Sequence, residues 1–170
     1  MRKAHDRVHL RAAGLSGIGF VLAAGTPSGG ASPIGTLTVT INDGKTTLPI
    51  CPGFGRCAAT SGSLAVSAAI DTGELVSVLV YQPAAGSFPA NNTTGASNGL
   101  AVTLPGSTAI TYCTDLLNAD GNINLSAFTT SLGGTISGTF SGTVVECFPA
   151  QGGGITVTLD NGSFSCGANQ

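Results

Sequence analysis

Tryptophan is absent from this chain, methionine occurs once and tyrosine twice, and charge is scarce. Asp, Glu, Lys and Arg make up 8% of the 170 residues, about a third of the usual ~25% of a soluble domain. Low charge beside a 42% hydrophobic content excludes a disordered chain, which needs the opposite balance. Histidine is confined to His5 and His9, and four of the six basic residues, Arg2, Lys3, Arg7 and Arg11, share that N-terminal stretch. Beyond it Lys45 and Arg56 are the remaining cations, against seven acids. Phosphate neutralisation requires Lys and Arg, so nucleic-acid binding is excluded, and attraction to an anionic membrane surface fails for the same reason. A serine or cysteine nucleophile usually needs an adjacent histidine to take its proton, and none follows His9. A Ser-Lys pair would rest on Lys45 alone, which sits in a turn sequence.

The N-terminal basic residues precede a mild apolar run, Ala12 to Ala24, and then the small residues of 25–32. A basic region, a short apolar region and a small-residue zone are the parts of a secretory signal. Cleavage is expected after Gly25, with Ala23 at −3, or after Ala31, with Gly29 at −3. The run is well short of the ~20 apolar residues of a spanning helix, so no membrane span is expected in the mature chain. No cysteine stands directly after the apolar run to carry a lipid. Residues 1–31 are accordingly read as signal and short linker, and 32–170 as one domain.

All five cysteines, Cys51, Cys57, Cys113, Cys147 and Cys166, fall in that domain. In an oxidising compartment they read as a disulfide framework with one thiol left over. The pairing stays open. Cys51 and Cys57 bracket a short loop that could close on itself. Zinc would need paired CxxC spacing or histidines, which are missing.

The rest of the pattern is strand and turn. Thr36 to Ile41 alternates, with Leu37, Val39 and Ile41 on one side and threonines on the other, the period of a half-buried strand. Asn42-Asp43-Gly44 is a hairpin turn, and Thr46 to Ile50 returns. Leu64, Val66, Ala68 and Ile70 form the next apolar face, Asp71-Thr72-Gly73 turns, and Leu75 to Tyr81 is apolar enough to be covered on both sides. Pro83 to Gly99 reads as the longest loop. Leu100 to Leu104, Thr108 to Cys113 and the alternating Ile123, Leu125, Ala127 read as strands, with a turn at Asn118 to Gly121. Thr135 to Cys147 is one long strand or a bent pair, its Gly138 and Gly142 marking a bulge or a close backbone approach. Ile155 to Leu159 is followed by a turn at Asp160-Asn161-Gly162 and a last strand, Ser163 to Cys166. No segment after the apolar run has helical periodicity. Short strands at near-regular spacing imply an all-β fold, a single antiparallel β-sandwich or barrel.

Candidate chemistry is thin. Asp43, Asp71, Asp120 and Asp160 occupy turn sequences, where Asp bonds its own backbone. Glu74, Asp115 and Glu146 lie beside apolar strands and are the acids available to a carboxylate hydrolase, which needs two of them facing each other. The densest set of oxygen donors is 115–124. It offers Asp115, Asn118 and Asp120 as calcium candidates, but Leu116 breaks an EF-hand pattern and no closing Glu is present. An ordinary Asx-rich loop accounts for the same residues. The two threonine stretches, Thr36 to Thr40 and Thr156 to Thr158, are short, and threonine is the usual outward residue of a strand.

One resemblance stands out. Gly134 to Thr143, reading G-T-I-S-G-T-F-S-G-T, followed by Ile155 to Phe164, reading I-T-V-T-L-D-N-G-S-F, resembles the C-terminal part of secreted bacterial β-rich domains of unknown function. The resemblance covers about 30 residues and implies export and an antiparallel β domain, with no site residues and no activity to carry over.

These readings converge on an exported noncatalytic β domain of structural or binding role, needing no cofactor and meeting an extracellular or cell-envelope partner. The alternatives are a small apolar-ligand carrier with a barrel interior and a carboxylate-dependent extracellular hydrolase. The exported protein is expected to begin at Thr26 or Ser32, which intact mass and N-terminal sequencing will show; a mature form retaining Met1 contradicts the signal assignment.

Overall fold

A computed structural model describes residues 33–51, 55–69, 73–91, 98–106, 109–114, 119–147 and 155–170. The segment read as an export signal, the Asp71-Thr72 turn residues, and the calcium candidates Asp115 and Asn118 lie outside them. The described residues form eleven strands: β1 Gly35–Ile41, β2 Gly44–Ile50, β3 Arg56–Ala59, β4 Ser63–Ala69, β5 Leu75–Tyr81, β6 Gly86–Pro89, β7 Gly99–Leu104, β8 Ile110–Cys113, β9 Asp120–Ala127, β10 Thr135–Glu146 and β11 Thr156–Gly167. All pairings are antiparallel, in the order β2-β1-β11-β10-β8-β7-β5-β4-β3, with β9 and then β6 continuing from β10. The fold is all-β, as expected, one antiparallel sheet rolled into a nearly closed barrel.

The barrel has two halves. One half-sheet runs β6-β9-β10-β11-β1-β2 and the other β8-β7-β5-β4-β3. They share β10, whose first part pairs with β9 and whose end meets β8 through just two residue pairs, Val145 with Cys113 and Glu146 with Tyr112. That thin seam is crossed by the Cys113–Cys147 disulfide and by Cys147 N–H donating to the Thr111 carbonyl at 2.9 Å. At the opposite seam β3 meets the end of the chain. Cys57 is bonded to Cys166, and the Asn169 amide lies along β3 as a strand would. Ala59 N–H donates to Asn169 Oδ1 at 2.8 Å, Asn169 Nδ2 donates to the Ala59 carbonyl at 3.0 Å, and Asn169 N–H donates to the Cys57 carbonyl at 2.7 Å. Of the pairings the sequence left open, a Cys51–Cys57 loop is not the one formed. Cys57 points into the core, 1% exposed, towards a strand 109 residues further on, and Cys51 is the free thiol.

Period-two alternation builds the interior. Leu37, Val39, Leu48, Ile50, Ile123, Leu125, Ile136, Leu159 and Phe164 face inward from the first half-sheet and meet Leu64, Val66, Val76, Val78, Val80, Leu100 and Val102 from the second. Each such side chain contributes roughly 1.5–3 kcal/mol on burial. Strand β5 alternates too: Val76, Val78 and Val80 are buried while Leu75, Ser77 and Leu79 stay partly exposed, so it is covered fully on one face.

Three sequence expectations change. The Asp160-Asn161-Gly162 segment is a bulge inside a continuous twelve-residue strand. Asn161 has φ of +51°, and the register slips there against both β1 and β10. An Asn-Gly pair suits a hairpin and a bulge equally, since both need a left-handed residue. Likewise Asp120-Gly121 opens β9 rather than turning, and the long loop at 83–99 contains β6, paired with β9. The β1–β2 hairpin does turn as expected, with Asn42 at φ +44° and Asp43 at +71°.

The bulge lies beside a reciprocal glycine–phenylalanine arrangement. Gly138 faces Phe164 and Phe140 faces Gly162 across β10 and β11. A Cβ on Gly138 would lie 2.8 Å from the Phe164 ring, and one on Gly162 would lie 2.6 Å from the Phe140 ring. Each ring therefore fills the space its facing glycine leaves, a known way of stabilising glycine in sheets. No helix among the described residues is long and apolar enough to cross a membrane.

Because the two disulfides close loops of different length, their removal separates. In the chain-entropy relation, losing Cys57–Cys166, whose cysteines are 109 positions apart, costs about 5 kcal/mol, and losing Cys113–Cys147, 34 positions apart, costs about 4 kcal/mol. Guanidinium unfolding of the paired Cys→Ala variants, followed by circular dichroism since there is no tryptophan, is expected to give that order.

Candidate functional site

The outward positions of the first half-sheet carry hydroxyls and amides almost without interruption. Strand β9 alternates Asn122, Asn124 and Ser126 with buried Ile123 and Leu125. Strand β10 places Ser137, Thr139 and Ser141 outside, β11 Ser163 and Ser165, and β1 Thr36 and Thr38. The register aligns them into rows. One row crosses six strands, Ser87 opposite Asn124, then Thr139, Ser163, Thr38 and Thr47. A second runs Ser137, Ser165, Thr36 and Pro49, extended by Ser126, whose Oγ lies 2.9 Å from Ser137 Oγ.

The bulge shapes this face. Asn161, exposed in its left-handed conformation, stands over the row, and an open depression of about 610 Å³ lies between it and β6, bordered by Asn122, Asn124, Thr139, Ser141 and Ser163. A shallower one of about 400 Å³ adjoins it, sharing Asn122 and Ser141 and reaching Asp120 and Thr143. Ser87 Oγ donates to Asn122 Oδ1 at 2.9 Å, and Thr38 and Thr47 hydroxyls are 3.3 Å apart. The side chains of Asn124, Thr139, Ser141, Asn161 and Ser163 have no intramolecular hydrogen-bond partner among the described residues. No lysine or arginine borders either depression.

The acids are dispersed. Asp43 sits in the β1–β2 turn, Glu74 just before β5, Glu146 at the end of β10 and Asp160 in β11. Asp120, the described calcium candidate, is exposed opposite Thr143. Among the described residues no group of three or more His, Cys, Asp and Glu could hold a metal ion. The interior is one cluster of apolar side chains.

Counting threonine stretches along the chain finds two short arrays. The structure places Thr36 to Thr40 next to β11 and adds serines and asparagines from four further strands, so the face is two-dimensional and missed by a one-dimensional search. Its signal was the alternation in β9 to β11 itself. Comparison with protein-family models, curated proteins and solved structures finds no match for the chain.

Cys51 is partly exposed and outside both disulfides. The native protein is expected to react with one equivalent of a thiol reagent, with no further thiol appearing on unfolding without reductant; two or more would contradict the pairing.

Proposed function

We propose that the chain is an exported, noncatalytic β domain of structural or binding role whose working surface is the hydroxyl- and amide-rich face of the β6-β9-β10-β11-β1-β2 half-sheet. The observation that carries this is the set of five neighbouring, exposed polar side chains, Asn124, Thr139, Ser141, Asn161 and Ser163, left without internal partners. Surface hydroxyls elsewhere on a strand are ordinary; a register-aligned field of them beside a depression is an offer of hydrogen bonds to something outside the molecule.

Two features support export. The N-terminal basic, apolar and small-residue zones have the parts of a secretory signal, and two disulfides suit an oxidising compartment. The partner is accordingly extracellular or in the cell envelope. The filled interior favours this reading over a carrier of small apolar ligands, and acids spread over turns and different strands favour it over a carboxylate hydrolase.

Expression of the full chain in a bacterium with an intact export route tests the proposal. The protein is expected outside the cytoplasm, with two disulfides and one thiol by mass after alkylation. Recovery in the cytoplasm with five free thiols would overturn it.

A further inference from the structure

The hydroxyl- and amide-rich face, with Asp120 as the acid bordering its smaller depression, narrows the class of ligand. Charge selects against anions, because the depressions are bordered by no cation and an anion there would lose hydration with no compensating partner. The lining presents amide N–H, amide carbonyl and hydroxyl groups interspersed with comparable apolar surface, as the carbon frame and hydroxyls of a sugar would match. Hydroxyls both donate and accept, and primary amides offer both kinds of group. The ligand that answers such a field is itself neutral and rich in hydroxyls.

Spacing points to a chain rather than a single small molecule. Neighbouring strands lie about 4.8 Å apart, close to the length of one pyranose residue, and a row across six strands extends for about 24 Å. The two depressions share Asn122 and Ser141, so the hollow is continuous across β9 and β10. Sheet twist turns each strand by about 20–25° from the last. The row therefore follows a curved path, which a flexible polymer can track and a planar crystal surface cannot.

From this we infer that the face binds a neutral polysaccharide, lying across the strands with its hydroxyls paired to Asn124, Thr139, Ser141, Asn161 and Ser163. The inference rests on the face being the working surface. No exposed aromatic among the described residues lies on it, so sugar stacking plays no part. Each sugar is held by hydrogen bonds that are each exchanged against water and so contribute little net. Binding per segment is weak, with repetition along the polymer making up the difference.

Native affinity electrophoresis of the disulfide-bonded protein tests this, in gels containing hydroxyethyl cellulose, dextran, galactomannan or a soluble β-1,3-glucan, with dextran sulfate as the anionic control. At least one neutral polymer is expected to retard the protein, and dextran sulfate to leave it unmoved. The double variant Thr139→Ala/Ser163→Ala is expected to weaken the retardation about tenfold. Ser67→Ala/Ser77→Ala, on the outside of β4 and β5, is expected to change nothing. A second face variant, Asn124→Asp, checks the same site should the first fail to fold by circular dichroism. Retardation by none of the neutral polymers, preference for dextran sulfate, or binding unmoved by the face variants would overturn the inference. Release of new reducing ends from a retained polymer would instead overturn the noncatalytic reading and leave the binding face standing.

Discussion

The fold depends on how two half-sheets are held together where backbone pairing nearly fails. The β10–β8 ladder has two residue pairs, and β3 meets the rest of the barrel through the end of the chain rather than a full strand. A sheet of this size with two weak seams would open at either. Each seam carries one disulfide, and each disulfide is helped by backbone or amide hydrogen bonds at the same place. The cross-links therefore do the work that two further ladders would do in a fully closed barrel. The largest core side chains, Leu, Ile and Phe, come mostly from the first half-sheet, and the Val and Ala of the second fit between them.

Unpaired strand edges invite association with other chains, and each edge here is blunted. Strand β2 carries Lys45 and Pro49, and Pro49 has no N–H to offer. Strand β6 is four residues long and ends in Pro89. Strand β3 is equally short, begins with Arg56, and has the Asn169 amide along it. With its edges closed to β-pairing, the first half-sheet meets its surroundings mainly through the broad outward face of hydroxyls and amides.

Much of this was legible in the residues. Alternation located the inward positions of β1, β4 and β9, and Asn42-Asp43-Gly44 marked its hairpin correctly. What escaped did so for identifiable reasons. Strands β3 and β6 are too short to show a period, and their identity comes from the partners they meet. Asn161-Gly162 satisfies a bulge as well as a turn, so the local sequence cannot choose; the flanking ladder on both sides does. Cysteine pairing follows topology, since Cys57 and Cys166 become neighbours only once the barrel rolls up. The candidate face follows register, which no single strand contains. The Gly138–Phe164 and Phe140–Gly162 pairs lie within the stretch that carries the family-like pattern, and they give that pattern a packing reason.

The long reach of the Cys57–Cys166 bond has a consequence for the order in which sulfur atoms meet. Synthesis delivers Cys51 and Cys57 together, six positions apart, long before Cys166 exists. The native partner of Cys57 lies 109 positions further on, and the Asn169 amide that seats β3 follows it. Until then the nearer thiol is the readier one, and a Cys51–Cys57 ring would leave Cys166 without its partner. Reaching the native pairing from such a ring would take thiol–disulfide exchange, in which a free thiolate attacks the ring's disulfide.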